Sequence, residues 1–153
     1  MTYEELLIES DSQNIDVREK DIPGYGGRIY KNRIAIHKGL KTSTEKGCVL
    51  AEEMGHYHTT SGDILDQADA GNRKQELRAR TWAHDKMIGL SGIVQAYLRG
   101  CSNLYDVAEY LNVTEEFMAE ALERYREKYG TGVKFQEYFI TFEPYFGVLK
   151  TIN

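Results

Sequence analysis

The stretch from Thr42 to Tyr57 constrains this chain more than any other part of it. Thr42-Ser43-Thr44-Glu45 sets a hydroxyl N-cap three residues ahead of a glutamate, the capping-box pattern that opens a helix. Cys48-Val49-Leu50-Ala51 continues it through Tyr57, and the run Thr59 to Gly62 ends it. Residues four apart on a helix face the same way, so Glu52 and His56 project side by side, and both are metal-ligand types. Glu53 lies about 100° round the helix, within reach of a water near such an ion. Two ligands at i and i+4 with a glutamate after the first is the geometry of H-E-x-x-H, in which that glutamate is the general base. Here Glu52 occupies the first position in place of histidine, and taken alone the pattern also fits an ordinary charged helix face.

The flanking sequence predicts an α+β chain. Thr2 to Ser12 reads as a short helix with Leu6 and Leu7 inward, and Ile15 to Ile22 as an edge strand. Pro23 to Gly27 is a loop, because Pro and Gly punctuate rather than propagate. Arg28 to Tyr30 and Arg33 to His37 form a hairpin, giving a small, mostly antiparallel sheet. After a polar loop from Asp63 to Gly71, a helix runs from about Asn72 to Ile88, and a shorter one from Gly89 to Gly100. Leu104, Val107, Ala108 and Leu111 make a helical stripe, and Thr114 caps a further helix that stops at Gly130. The alternating aromatic tail, Val133 to Ile152, reads as extended segments packed back onto the body. The motif order divides the chain into a zincin-like core, 1–100, and a helix-turn-helix-like subdomain with its tail, 101–153.

Composition closes off other classes. With 153 residues, 41% hydrophobic and 28% charged, the chain can close a core without disulfides. Two cysteines, Cys48 and Cys101, make no disulfide framework and suit a reducing cytoplasm. The N-terminus lacks a secretion signal, and Met87 to Leu98 falls short of the roughly 20 residues of a membrane span. A net charge of −5 argues against whole-molecule attraction to nucleic acid. Residues 102–129 invite a helix–turn–helix reading, but they carry seven acids against three bases, and the second helix opens with Glu115-Glu116. Those acids suit the helix dipole instead. The unit is expected to pack or to dock a protein rather than to bind DNA.

Glu76 follows His56 by 20 residues, enough for a loop and a returning helix. Catalytic zinc takes three protein ligands and leaves one place open, so Glu76 is the natural third beside Glu52 and His56. At this point the chain resembles a known family. A hairpin, then Leu50-Ala51-Glu52-Glu53-Met54-Gly55-His56-Tyr57, then Glu76-Leu77-Arg78-Ala79, is similar to the ImmA/IrrE metallopeptidases of phages, integrative elements and bacteria, in the phage branch especially. The resemblance covers about residues 13–130. It implies a single divalent metal, usually zinc, and hydrolysis of a transcriptional repressor. Carried over by position, it makes His56 the second histidine ligand, Glu53 the general base and Glu76 the downstream acidic ligand. Glu52 stands where many members have histidine. Two glutamates and one histidine leave Zn²⁺ formally neutral, so a bound water is acidified less, and the oxygen donors widen the choice to Mn²⁺ or Fe²⁺. A slow or conditional hydrolase is expected.

Tyr57 and His84 are further candidates, as donors to the transition state. His58 and His37 read as surface or peripheral groups, Cys48 as a small buried hydrophobe, Cys101 as a thiol without a catalytic histidine, and Trp82 as core. Arg73, Lys74, Arg78 and Arg80 surround Glu76 and read as a solvated face, with orientation of the carboxylate as the functional alternative. The leading function is a metal-dependent endopeptidase acting on a phage or mobile-element repressor. The alternatives are a non-catalytic antirepressor that keeps the scaffold and, more weakly, a DNA-binding regulator.

Overall fold

A computed structural model describes residues 1–60 and 70–152, with side chains left out of the description at 70–72. The expected stop at Ser61-Gly62 and most of the polar loop from Asp63 to Gly71 lie outside the described residues. The chain folds into two compact units, Met1–Ala83 and His84–Asn153. Packing therefore divides the chain within a helix, where motif order divides it at residue 100.

The first unit opens with α1 (Tyr3–Ser12). Thr2 and Glu5 cap it reciprocally: Thr2 Oγ1 accepts from the Glu5 amide at 3.1 Å, and Glu5 Oε1 accepts from the Thr2 amide at 3.2 Å. Leu6 is wholly buried, Leu7 only partly. Three strands follow, β1 (Asp16–Lys20), β2 (Gly27–Tyr30) and β3 (Arg33–His37), in the spatial order β1-β3-β2. β2 and β3 form the expected antiparallel hairpin around Lys31, whose φ of 54° suits a tight turn. β1 pairs with β3 in parallel, Val17 opposite Ile34, so the sheet is mixed rather than mostly antiparallel. The reason lies in β3. Its Ile34 and Ile36 are buried, and the most apolar strand takes the centre, where neighbours pair both of its edges. The connection through Pro23 and Gly24 lets the chain come back on the far side of that centre.

Helix α2 (Ser43–Thr59) starts at Thr42, whose hydroxyl accepts from the Glu45 amide at 3.1 Å. Gly47, Cys48, Leu50, Ala51, Met54, Gly55 and His56 form its buried stripe, against α1, β2 and β3. Helix α3 (Ala70–Met87) follows and runs through the boundary between the units.

The second unit adds α4 (Gly89–Leu98), α5 (Leu104–Tyr110), α6 (Glu115–Tyr129) and the strands β4 (Gly132–Phe135), β5 (Tyr138–Thr141) and β6 (Gly147–Lys150). Ile93, Val107, Ala108, Phe117, Met118, Ala121 and Ile140 are among its buried residues. Thr114 caps α6 as expected, and Gly130 ends it at a φ of 73°, a conformation glycine adopts without strain. The aromatic tail does more than pack back: it pairs with itself as an antiparallel meander β4-β5-β6, with Val133 opposite Ile140 and Ile140 opposite Val148. Helix α4 has no side-chain N-cap. The Tyr125 hydroxyl from α6 accepts from the Gly89 amide at 3.2 Å instead, and donates to Asp85 at 3.0 Å. Burial first, then the Asp85 carboxylate, pushes the Tyr125 phenol far above its ordinary range, so it stays protonated and able to donate. Both cysteines are free thiols, Cys48 buried and Cys101 partly so. Among the described residues no helix is long and apolar enough to cross a membrane.

Candidate active site

Three side chains of the first unit converge where α2 meets α3. His56 Nε2 lies 2.9 Å from Glu76 Oε2, and Arg80, one turn along α3, brings its Nε to 3.3 Å from the other Glu76 oxygen. Glu53 stands on the preceding turn of α2, partly buried. The approach depends on a small residue. A Cβ on Gly55 would sit 2.2 Å from the Ala79 carbonyl oxygen, so only glycine lets the two backbones close in at the point where His56 faces Glu76. A second glycine roofs the site. A Cβ on Gly27 of β2 would lie 2.6 Å from Val49 and 3.1 Å from the Glu53 side chain, which puts the edge strand directly beside Glu53.

The electrostatics follow from one imidazole among several carboxylates. Burial pushes the Glu53 carboxyl up to about 7; the charges of Glu52 and Glu76 add to this and His56 opposes it. Burial alone would lower His56, but the hydrogen bond to Glu76 and the charges of Glu53, Glu76 and Glu52 outweigh it and hold the imidazole above its ordinary value. Glu76 is held below the usual carboxylate range, first by the hydrogen bond from His56 and then by Arg80.

The donor types present are those a divalent cation takes, although the described side chains do not converge on a single point. His56 Nδ1 is buried with no hydrogen-bond partner among the described residues, and the surrounding carboxylates repel one another in the absence of a positive ion. His56 and Glu76 supply two donors of the types zinc takes, held 2.9 Å apart by the hydrogen bond between them. Among the described residues no group of three His, Cys, Asp or Glu side chains converges closely enough to hold a metal. The structure thus brings together His56 and Glu76, with Glu53 beside them. Glu52 contributes charge to both Glu53 and His56 without completing a three-donor set.

The remaining candidates fall elsewhere. Tyr57 is partly buried, its ring edge-on to His58. His58 is exposed; it meets Gln13 Oε1 at 2.8 Å and stacks on Trp82 with ring centroids 4.8 Å apart. Trp82 is therefore a half-buried clamp between α2 and α3 rather than core. His37 accepts from the Ile22 amide at 3.3 Å, a peripheral role at the sheet. His84 belongs to the second unit, buried, edge-on to Phe117 and 3.9 Å from a Glu120 oxygen. Of the basic residues around Glu76, Arg80 is the one that approaches its carboxylate, while Arg73, Lys74 and Arg78 are exposed. Sequence reasoning passed over Gly55 and Gly27. Gly55 carried a signal: a glycine inside a helix costs about 1 kcal/mol, so its place there needs a packing reason.

A helix presenting Glu53 and His56 beside Glu76 of the next helix, next to a small sheet, is an α+β arrangement compatible with a metallopeptidase-like domain. The chain belongs to the peptidase M78 family: the family model, IrrE N-terminal-like domain, matches residues 7–123, well over half of it. Comparison with curated proteins gave no match, and comparison with solved structures gave none.

Proposed function

We propose that this chain is a metal-dependent endopeptidase whose substrate is a transcriptional repressor of a phage or mobile element, and that His56 and Glu76 hold the ion with Glu52 as third donor once its side chain turns toward them, with zinc first and Mn²⁺ or Fe²⁺ as alternatives. The observation that carries this reading is the meeting of His56 and Glu76 at 2.9 Å with Glu53 on the adjoining turn. A bound divalent cation would supply Lewis acidity to the scissile carbonyl and to the attacking water. Glu53 takes the proton from that water and returns it to the leaving amine. Arg80 holds Glu76 in place. The edge strand β2, adjoining Glu53 at Gly27, offers an extended substrate a line of backbone groups to pair with. Tyr57, next to His56 on α2, is the hydrogen-bond donor nearest in sequence to the site.

Incubating the purified chain, loaded with Zn²⁺ or Mn²⁺, with repressors encoded beside it tests this reading. The expected result is a discrete cleavage that Glu53→Gln lowers by about 10²–10⁴-fold while repressor binding survives. The competing reading is an antirepressor that binds without cutting, and the observation in its favour is Glu52 in the place of a histidine. Relief of repression that persists unchanged in Glu53→Gln would establish that reading instead.

A further inference from the structure

The sheet β1-β3-β2 is covered on one face. Ile34 and Ile36 are buried, and Gly27 points at Val49 and Glu53, so this is the face that packs on α2. Side chains alternate along a strand, which sets Arg18 and Lys20 of β1, Arg28 and Tyr30 of β2, and Arg33 and Ala35 of β3 on the other face. The register puts Arg18, Ala35 and Arg28 in one row across the three strands. A methyl group between two long cationic side chains makes a trough, and the groove there has a volume of about 630 Å³, with Lys20 and Arg33 also in its wall.

Two cations of this face, Arg28 and Arg33, are held but not neutralised. The Arg28 guanidinium sits 5.3 Å from the centre of the Tyr25 ring and that of Arg33 5.8 Å from Tyr30, contacts that steady a planar fork and leave its charge intact. Asp16, 3.3 Å from Arg18, is the acid of the groove wall. Lys20, Arg28 and Arg33 form no ion pair among the described residues. Four cations against one acid is a local excess opposite in sign to the chain's net −5.

We propose that this face docks a short segment of a partner protein rich in Asp and Glu, on the side of the sheet away from His56 and Glu76. Guanidinium forks take carboxylates through paired parallel hydrogen bonds. Strands about 4.8 Å apart put the Arg18 and Arg28 rows roughly 10 Å from each other, the width of one extended peptide. Charge favours a peptide over nucleic acid. Attraction decays within about 8–10 Å at ordinary salt, so a segment confined to the trough meets the cations alone. A longer polyphosphate runs off the patch onto a chain of net negative charge. The surface is independent of hydrolysis and goes beyond the peptidase reading.

Fluorescence anisotropy of fluorescein-labelled hexaglutamate, titrated with the full chain in chelator at about 50 mM salt, tests the proposal without metal or cleavage. Saturable binding is expected, weakening as salt rises, and falling about tenfold or more in Arg28→Glu/Arg33→Glu. Lys134→Glu/Lys150→Glu, the same charge change on β4 and β6, is expected to leave it within about twofold. Should the charge reversals fail to fold, Arg28→Gln/Arg33→Gln gives the same readout. No saturable binding, or an equal loss in both glutamate pairs, would overturn the proposal. So would tighter binding of an oligothymidylate through the same arginines, which would make this a nucleic-acid surface.

Discussion

His56 Nε2 and Glu76 Oε2 lie 2.9 Å apart, one on α2 and the other on α3, and Gly55 against the Ala79 carbonyl brings their helices close enough to meet. The site is therefore as much a property of helix packing as of its ligands, and perturbing either should be visible in the other.

Gly55→Val tests the packing. A side chain there cannot fit with the Ala79 oxygen 2.2 Å from the first added carbon, so α3 must move. The expected cost is about 1–3 kcal/mol or more, read by urea denaturation, together with weaker Zn²⁺ binding by calorimetry. Stability and affinity within error of the parent would disprove the close approach.

Glu52→His tests the first ligand position. A second imidazole restores net positive charge to a zinc-loaded site, so Zn²⁺ affinity and hydrolysis should both rise, affinity by about tenfold or more. An unchanged affinity would place Glu52 outside the metal's reach.

The ion-free protein should lose stability as pH rises from about 5 to 8. Glu53 has its folded pKa raised to about 7, so its contribution falls as pH climbs above the unfolded value toward 7. His56 is also raised; its stabilisation is complete below its unfolded value and is lost as pH passes through the folded one. Glu76, held low, acts oppositely, but only as pH falls below the ordinary carboxylate range. Thermal melts in chelator should show a falling midpoint, and Glu53→Gln should flatten much of it. A flat or rising profile in the parent would contradict the burial of Glu53. Zinc affinity should rise over the same pH interval, because the ion competes with the His56 proton.

Tyr125→Phe tests the second unit. The hydroxyl satisfies both the Gly89 amide and an Asp85 oxygen, and its removal leaves the start of α4 without its cap. A loss of about 1–3 kcal/mol in denaturant melts is expected, with metal binding unaffected. No measurable loss would mean that water replaces the hydroxyl at no cost.

What the sequence determined by itself was local. Thr42 and Thr114 mark helix starts and Gly130 a helix end, because a hydroxyl cap or a glycine stop acts within one turn. The i,i+4 spacing of Glu52 and His56 was equally legible, and the motif order led to the M78 family. Only the tertiary structure decided which strand takes the centre of the sheet and that the aromatic tail closes on itself as a meander. It likewise decided that Arg80 rather than its basic neighbours lies against Glu76, and that Trp82 stacks on His58. These outcomes depend on residues far apart in the chain competing for the same buried space. Spacing along one segment carries no record of that competition.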